Sequence, residues 1–98
     1  MIEWSEKKFG KFSEYTLKRS LEKQGLKVDI VTYKATTKRT ISFPVETIIA
    51  VSEGKYEIVL LGETYTLKPG NSLKIPKETK FDSSVIGKDD VIAFESTK

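Results

Sequence analysis

Arg39 is the residue whose type and position best suit it to bind a ligand. Strand periodicity places it on the same side of a predicted strand as Ile41 and Phe43, so a cation shares a face with apolar side chains. A guanidinium donates hydrogen bonds to two phosphate oxygens at once and stays charged in a partly apolar site. Two interpretations follow: Arg39 binds an anion, or it lies at a strand end and extends to solvent or pairs with a surface acid.

Missing residue types exclude much other chemistry. The 98 residues include no histidine and no cysteine. Tetrahedral zinc sites, haem ligation, cysteine nucleophiles and histidine-based triads are therefore excluded. Disulfides are excluded too, so the core must hold the fold alone.

The charge pattern argues against a polyanionic or membrane partner. The net charge of +3 comes from scattered lysines, and Arg19 and Arg39 are the only arginines. Nucleic-acid-binding proteins concentrate positive charge and read bases with arginine, so we expect no nucleic-acid partner. The longest apolar runs have four residues, as at 58–61. These are too short to span a membrane, so we expect a cytoplasmic protein with no membrane partner.

Composition and periodicity predict strands as the elements that position these residues. Val, Ile and Thr supply 26 residues and Ala only three, which favours pleated over helical backbone. Leu26, Val28, Ile30 and Thr32 alternate with Lys27, Asp29, Val31 and Tyr33, which predicts a half-buried strand. The residues at 47–51 are apolar on both faces and predict a central strand.

Turn residues divide the remainder into short strands. Turns are predicted at Glu53-Gly54, Gly62-Glu63 and Pro69-Gly70-Asn71. With strands also at 39–43, 56–61, 64–68, 72–75 and 91–94, about eight strands predict an all-β sandwich or barrel. The stretch 20–24 is predicted as a turn, and we expect one domain over residues 1–98.

The turn skeleton from Gly54 to Phe81 resembles the cupin superfamily. The second cupin motif falls on Gly70, five further residues and Pro76, with Phe81 at the position of its metal-binding histidine. Counting back from Gly54 places the first motif's glutamate on Thr47 and its histidine pair on Ile41 and Phe43. The resemblance implies a small single-domain cupin, an antiparallel double-stranded β-helix or jelly-roll barrel.

These four positions hold no metal-binding side chain apart from the weak hydroxyl ligand of Thr47. First-row metals in such sites need imidazole and carboxylate together, so we expect no metal and no cofactor. Ile41, Phe43 and Phe81 would then either line a pocket or fill the barrel as core.

A narrower resemblance is to the pyrimidine/purine nucleoside phosphorylase family, which consists of very small cupins without the metal ligands. It is carried by Phe9-Gly10-Lys11 and by the stretch 75–81 followed by Val85. That family usually has a Glu-Glu-Met run where this chain has residues 47–49, Thr-Ile-Ile. The resemblance implies phosphate-dependent cleavage of nucleosides to free base and pentose 1-phosphate.

Phosphorolysis would assign roles to the residues singled out above. Arg39 would bind phosphate, Thr47 would donate a hydrogen bond to a sugar hydroxyl, and Phe43 with Phe81 would form a floor for the base. Tyr65 is a further acid/base candidate, although its alternation with Leu67 favours inward packing. For the aromatic residues, ordinary core packing is the alternative.

Three functions remain open from the sequence. The chain is a metal-free nucleoside phosphorylase with nucleoside and phosphate as ligands, a non-catalytic cupin that binds a small ligand, or a dimerisation module. The aromatic residues Trp4, Phe9 and Phe12 near the N-terminus favour a homodimer in each case.

Composition also predicts high thermal stability. Lysine and glutamate total 25 residues, against one asparagine and one glutamine, a pattern typical of hyperthermophiles. We expect a melting temperature above about 70 °C by circular dichroism, beyond the mesophile range of roughly 45–65 °C. A midpoint inside that range would indicate that the high lysine content reflects a coding bias and not thermal stability.

Overall fold

The computed structural model describes Glu3 and residues 12–98. In this part of the chain one helix precedes eight strands. The elements are α1 (Glu14–Lys23), β1 (Lys27–Tyr33), β2 (Lys38–Ile41), β3 (Thr47–Glu53), β4 (Lys55–Leu60), β5 (Glu63–Leu67), β6 (Ser72–Ile75), β7 (Phe81–Ile86) and β8 (Val91–Thr97).

The strands form two antiparallel four-stranded sheets that face each other. Sheet 1 has the order β1-β8-β3-β6, and sheet 2 has the order β2-β7-β4-β5. Every pair of consecutive strands except β4–β5 lies in different sheets, which is the winding of a jelly roll. The prediction of an all-β jelly-roll barrel is confirmed, and the apolar segment at 47–51 is the central strand β3.

The main core lies between the two sheets. Inward-facing side chains of both sheets supply it, because alternate residues of each strand point to the same face. Its buried members are Tyr33, Ile49, Val51, Tyr56, Ile58, Leu60, Leu67, Leu73, Ile75, Phe81, Val85, Val91 and Ala93.

Strand β1 faces the barrel with the second of its two alternating sets, the one that includes Val31 and Tyr33. Tyr33 is buried and Val31 packs against the main core. Val28 lies on the other face and packs against a second cluster, while Ile30 is exposed. The periodicity predicted a strand correctly but did not separate the two faces, because both are partly covered.

The prediction of a turn at 20–24 is wrong, since residues 20–23 form the last turn of the ten-residue helix α1 and Gln24 is its C-cap. Ser13 caps the helix, and its side chain accepts a hydrogen bond from the backbone N–H of Thr16 while the Thr16 side chain accepts one from the Ser13 N–H. Leu17 and Leu21, one turn apart, are the buried residues of the helix. This sparse apolar stripe gave little helical signal in a sequence dominated by strand periodicity.

Helix α1 covers the outer face of sheet 1. Leu17 and Leu21 form a second cluster with Ala50 and Phe94 from β3 and β8. Phe12 packs against this cluster, whereas Trp4 and the Phe9-Gly10-Lys11 segment lie outside the described residues. In the part of the chain that the structure describes, no helix is long and apolar enough to cross a membrane.

Gly54 makes the tight turn between β3 and β4. Its φ of +85° lies in the left-handed region, and a Cβ there would lie 2.7 Å from the carbonyl oxygen of Asp90. Gly62, in the next hairpin, has a similar φ of +81° but open space around it. Both glycines therefore need a left-handed backbone conformation. Of the two, only Gly54 also has no room for a side chain.

We expect Gly54→Ala to destabilise the fold more than Gly62→Ala. Both substitutions carry a left-handed strain of about 1–2 kcal/mol. Gly54→Ala adds a backbone clash, for which overpacking costs of about 1–3 kcal/mol are typical. Urea unfolding of the two variants measures the difference. Equal losses would show that the Asp90 carbonyl moves aside without cost.

Candidate functional site

The four positions aligned with the cupin metal site lie in or beside the main core. Ile41 pairs with Phe81 across β2 and β7, so two of the four positions lie side by side. The Phe43 and Phe81 ring centroids are 5.5 Å apart, and the rings are tilted by 36°. Phe81 is a core residue, while Ile41 and Phe43 are half-buried and packed against that core.

Thr47, the fourth position, is buried at the start of β3. Its hydroxyl donates a hydrogen bond to the Val45 carbonyl at 3.0 Å. The hydrogen of that hydroxyl is thus already used locally, and Ile41, Phe43 and Phe81 carry no donor atoms. This set does not fit a metal ion, and among the described residues no group of three His, Cys, Asp or Glu side chains lies together to hold one.

Tyr65 lies half-buried against the main core, as its alternation with Leu67 predicted. Its hydroxyl donates to Oε2 of Glu63 at 2.7 Å. This hydrogen bond to Glu63 raises the pKa of Tyr65. Phe81 thus belongs to the main core, and Phe43 and Tyr65 pack against that core. The roles of these three residues in ligand binding stay predictions.

Arg39 lies on β2 opposite Ser83 of β7, on the face that turns towards sheet 1. The Cζ atom of its exposed guanidinium lies 5.2 Å from the centroid of the Tyr33 ring. At an exposed position such a cation–π contact contributes about 0.5–1 kcal/mol. Within residues 12–98 and Glu3, no carboxylate oxygen lies within 4.0 Å of this guanidinium. The exposed position of Arg39 fits the alternative that its side chain extends to solvent, and no surface acid among the described residues pairs with it.

Tyr33, which the sequence analysis did not select, links Arg39 to two further groups. Its ring stacks on Tyr56 with centroids 4.8 Å apart and an interplanar angle of 10°. Its hydroxyl donates to Oε1 of Glu95 at 2.8 Å. Burial, followed by the charge of Glu95, raises the pKa of Tyr33.

Tyr56 carries a polar atom without a partner. The residue is only 1% exposed, and its hydroxyl makes no hydrogen bond with any described residue. Ser83 is near enough to lower the pKa of Tyr56, but the Ser83 hydroxyl itself donates to the Arg39 carbonyl at 3.3 Å. Burial is the larger effect and raises the pKa of Tyr56.

We call these five residues, Tyr33, Arg39, Tyr56, Ser83 and Glu95, the tyrosine cluster. It contributes an exposed cation, a half-buried carboxylate and three hydroxyls to the space between the sheets. An unpartnered buried hydroxyl costs about 1–3 kcal/mol. A further polar group that formed a hydrogen bond with the Tyr56 hydroxyl would therefore stabilise the cluster.

One sequence signal pointed to Glu95. It alternates with Val91 and Ala93, both of which face the main core, so β8 places a charged residue on an apolar face. The predicted strand ended at residue 94, one position short of it. The Tyr33–Tyr56 stack had no such signal, because it joins different sheets and no local periodicity records that pairing.

A separate surface recess lies away from the cluster. Its volume is about 540 Å³, and its lining residues are Thr32, Ser52, Glu53, Gly54, Pro69, Asp89, Asp90 and Ile92. Asp90 already accepts the Ala35 N–H at 2.7 Å, which lowers the pKa of its carboxyl, and it pairs with Lys34 at 3.5 Å. None of the six residues selected from the sequence lines this recess.

The buried tyrosines should make the fold sensitive to alkali. An unfolded tyrosine ionises near pH 10, whereas Tyr33 and Tyr56 stay protonated above it because their pKa values are raised. Their stabilisation is complete below about pH 10 and falls by about 1.4 kcal/mol per pH unit for each tyrosine above it. We expect Tyr33→Phe to make the loss of unfolding free energy smaller by about 1.4 kcal/mol per pH unit.

Urea unfolding between about pH 10 and 11.5 measures the slope. Phe81→Leu is the control, since it weakens the core but removes no ionisable group. If Tyr33→Phe and Phe81→Leu keep the same slope as the unmodified protein, Tyr33 ionises as freely in the fold as outside it.

Comparison with solved structures identifies the architecture. No family model matches the sequence, and no curated protein matches it significantly. The structure is similar to the EutQ protein of Clostridium difficile, with a TM-score of 0.63 and 24% identity over 79% of this chain and 60% of that one. It is also similar to a cupin superfamily protein of Desulfitobacterium hafniense, with a TM-score of 0.62 and 14% identity over 74% and 65%.

A third similar structure is the cupin domain of Cnp3 from Schizosaccharomyces pombe, with a TM-score of 0.65 and 16% identity over 72% of this chain and 53% of that one. The chain spans less than two thirds of each of these three structures. Identities of this size establish architecture and not activity. The jelly-roll winding and these likenesses together show that the chain has the cupin fold.

Proposed function

We propose that this protein is a metal-independent cupin that binds a small anionic ligand through Arg39. The observation that carries the proposal is the state of the Arg39 guanidinium. It is exposed, lies over the Tyr33 ring, and has no carboxylate within 4.0 Å among the described residues. A cation on the barrel side of a strand, with no counter-ion among residues 12–98, is available to a ligand anion.

Stacking on Tyr33 favours such binding. The guanidinium carbon lies over the Tyr33 ring, and the N–H groups of a guanidinium match the paired oxygens of phosphate or carboxylate. The ring also restricts the side chain before the ligand arrives, which lowers the entropy lost on binding.

The positions of the cupin metal site support a metal-independent function. Ile41, Phe43 and Phe81 supply apolar surface there, and Thr47 uses its hydroxyl locally. Charge for ligand recognition comes from the tyrosine cluster instead.

Phosphorolysis of nucleosides is the second candidate. The accessible Arg39 favours it, because that reaction needs an anion site for phosphate. The burial of Thr47 and the packing of Phe43 on Phe81 leave less of the proposed sugar and base subsites open. Phosphate-dependent release of free base from inosine or uridine would support this candidate, and its absence in an otherwise phosphate-binding protein would reject it.

We expect Arg39→Ala to weaken binding of inorganic phosphate by about tenfold or more, since hydrogen bonds to charged groups contribute about 1.5–3 kcal/mol. Nuclear magnetic resonance titration of the ¹⁵N-labelled protein measures the dissociation constant and maps the perturbed amides to β1, β2 and β8.

Arg19→Ala is the matched control. Arg19 also lies over a tyrosine, with its Cζ atom 5.7 Å from the Tyr15 ring centroid, but on the exposed surface of α1. Its loss should leave phosphate binding unchanged. Equal weakening by both substitutions would mean that phosphate responds only to net charge, and the proposed site would be wrong.

A further inference from the structure

We propose that the site has two poles, and that Glu95 binds a hydrogen-bond donor carried by the same ligand whose anionic group binds Arg39. The ligand class is then a small organic anion with a hydroxyl or amino group beside its carboxylate or phosphate. This inference rests on the proposed function, because it requires an anion at Arg39.

The Glu95 carboxylate is held in place but only partly used. On β8 it pairs in register with the core residue Ile49 of β3, so it faces the space between the sheets. Oε1 accepts the Tyr33 hydroxyl, and the described residues give the carboxylate no second hydrogen-bond partner and no basic group within 4.0 Å. An oriented carboxylate with unused acceptor capacity suits a donor from a ligand.

Arg39 and Glu95 flank a single phenol ring. The guanidinium carbon lies 5.2 Å from the Tyr33 ring centroid, and Oε1 of Glu95 lies 2.8 Å from the hydroxyl of the same ring. The two charges are thus neighbours that do not form a salt bridge within 4.0 Å. A small ligand that carries both an anionic group and a hydrogen-bond donor is therefore the kind that we expect to contact both.

The Tyr56 hydroxyl is an independent sign of a missing partner. It is buried and has no hydrogen bond of good geometry within the described residues, although the neighbouring hydroxyls of Ser83 and Tyr33 are near enough to lower its pKa. Buried hydroxyls are almost always hydrogen-bonded in folded proteins. Because the oxygen is buried, a ligand oxygen or nitrogen between the two poles would satisfy it only when the side chains that cover it move aside.

Acetate, glycolate and glycine form a matched probe series for this arrangement at pH 7. All three carry a carboxylate, glycolate adds a hydroxyl, and glycine adds an ammonium. We expect glycolate or glycine to bind about tenfold more tightly than acetate, as one added hydrogen bond to a charged group allows. The stronger of the two identifies whether the donor is a hydroxyl or an amine.

Glu95→Gln should remove that advantage while acetate still binds, because the amide can still accept the Tyr33 hydroxyl but carries no charge. Tyr56→Phe should weaken glycolate or glycine binding without lowering the melting temperature of the free protein, since the lost hydroxyl has no described partner. Glu63→Gln is the matched control, because the exposed Glu63 also accepts a hydrogen bond from a tyrosine, Tyr65. This substitution should change none of the three affinities.

The possible results separate the two proposals. If acetate, glycolate and glycine bind equally and all depend on Arg39, the anion site stands and the second pole is wrong. If Glu95→Gln tightens all three probes equally, Glu95 only repels anions, which also overturns this inference. If none of the anions, including phosphate, binds the unmodified protein, the proposed function itself fails.

Discussion

The stack of Tyr33 on Tyr56 is the contact on which the candidate site depends. Tyr33 comes from the edge strand β1 of sheet 1 and Tyr56 from the interior strand β4 of sheet 2, so the pair joins the two sheets. One face of Tyr33 packs on Tyr56, Arg39 lies over the ring, and its hydroxyl contacts Glu95. A shift of one sheet against the other would separate Arg39 and Tyr56 of sheet 2 from Tyr33 and Glu95 of sheet 1.

The turns and central strands were predictable because their signals are local. Glycine and proline at Gly54, Gly70 and Pro76 constrain the backbone directly, and the predicted turns at Gly54 and Gly70 lie between the strands of the structure. The barrel-side position of Arg39 was likewise correct, since strand alternation needs only two neighbouring residues. These features depend on residues close together in the sequence.

The errors have a common physical cause. Helix α1 buries only Leu17 and Leu21, and it covers a sheet face whose partner could not be inferred from periodicity. With that face covered, β1 carries apolar residues on both sides, and the alternation of its residues did not show that Tyr33 faces the main core. Tertiary contacts between distant segments, as from residue 33 to residue 95, decided these cases.

The separation of the two apolar clusters has consequences for local opening. Ala50 and Phe94 turn outward under α1, while their chain neighbours Ile49, Val51 and Ala93 turn inward to the barrel. Detachment of the helix would expose the outer cluster to water and leave the inner one closed. Amide hydrogens of α1 can therefore exchange with solvent through a fluctuation that costs less free energy than global unfolding, while those of β3 and β8 stay protected.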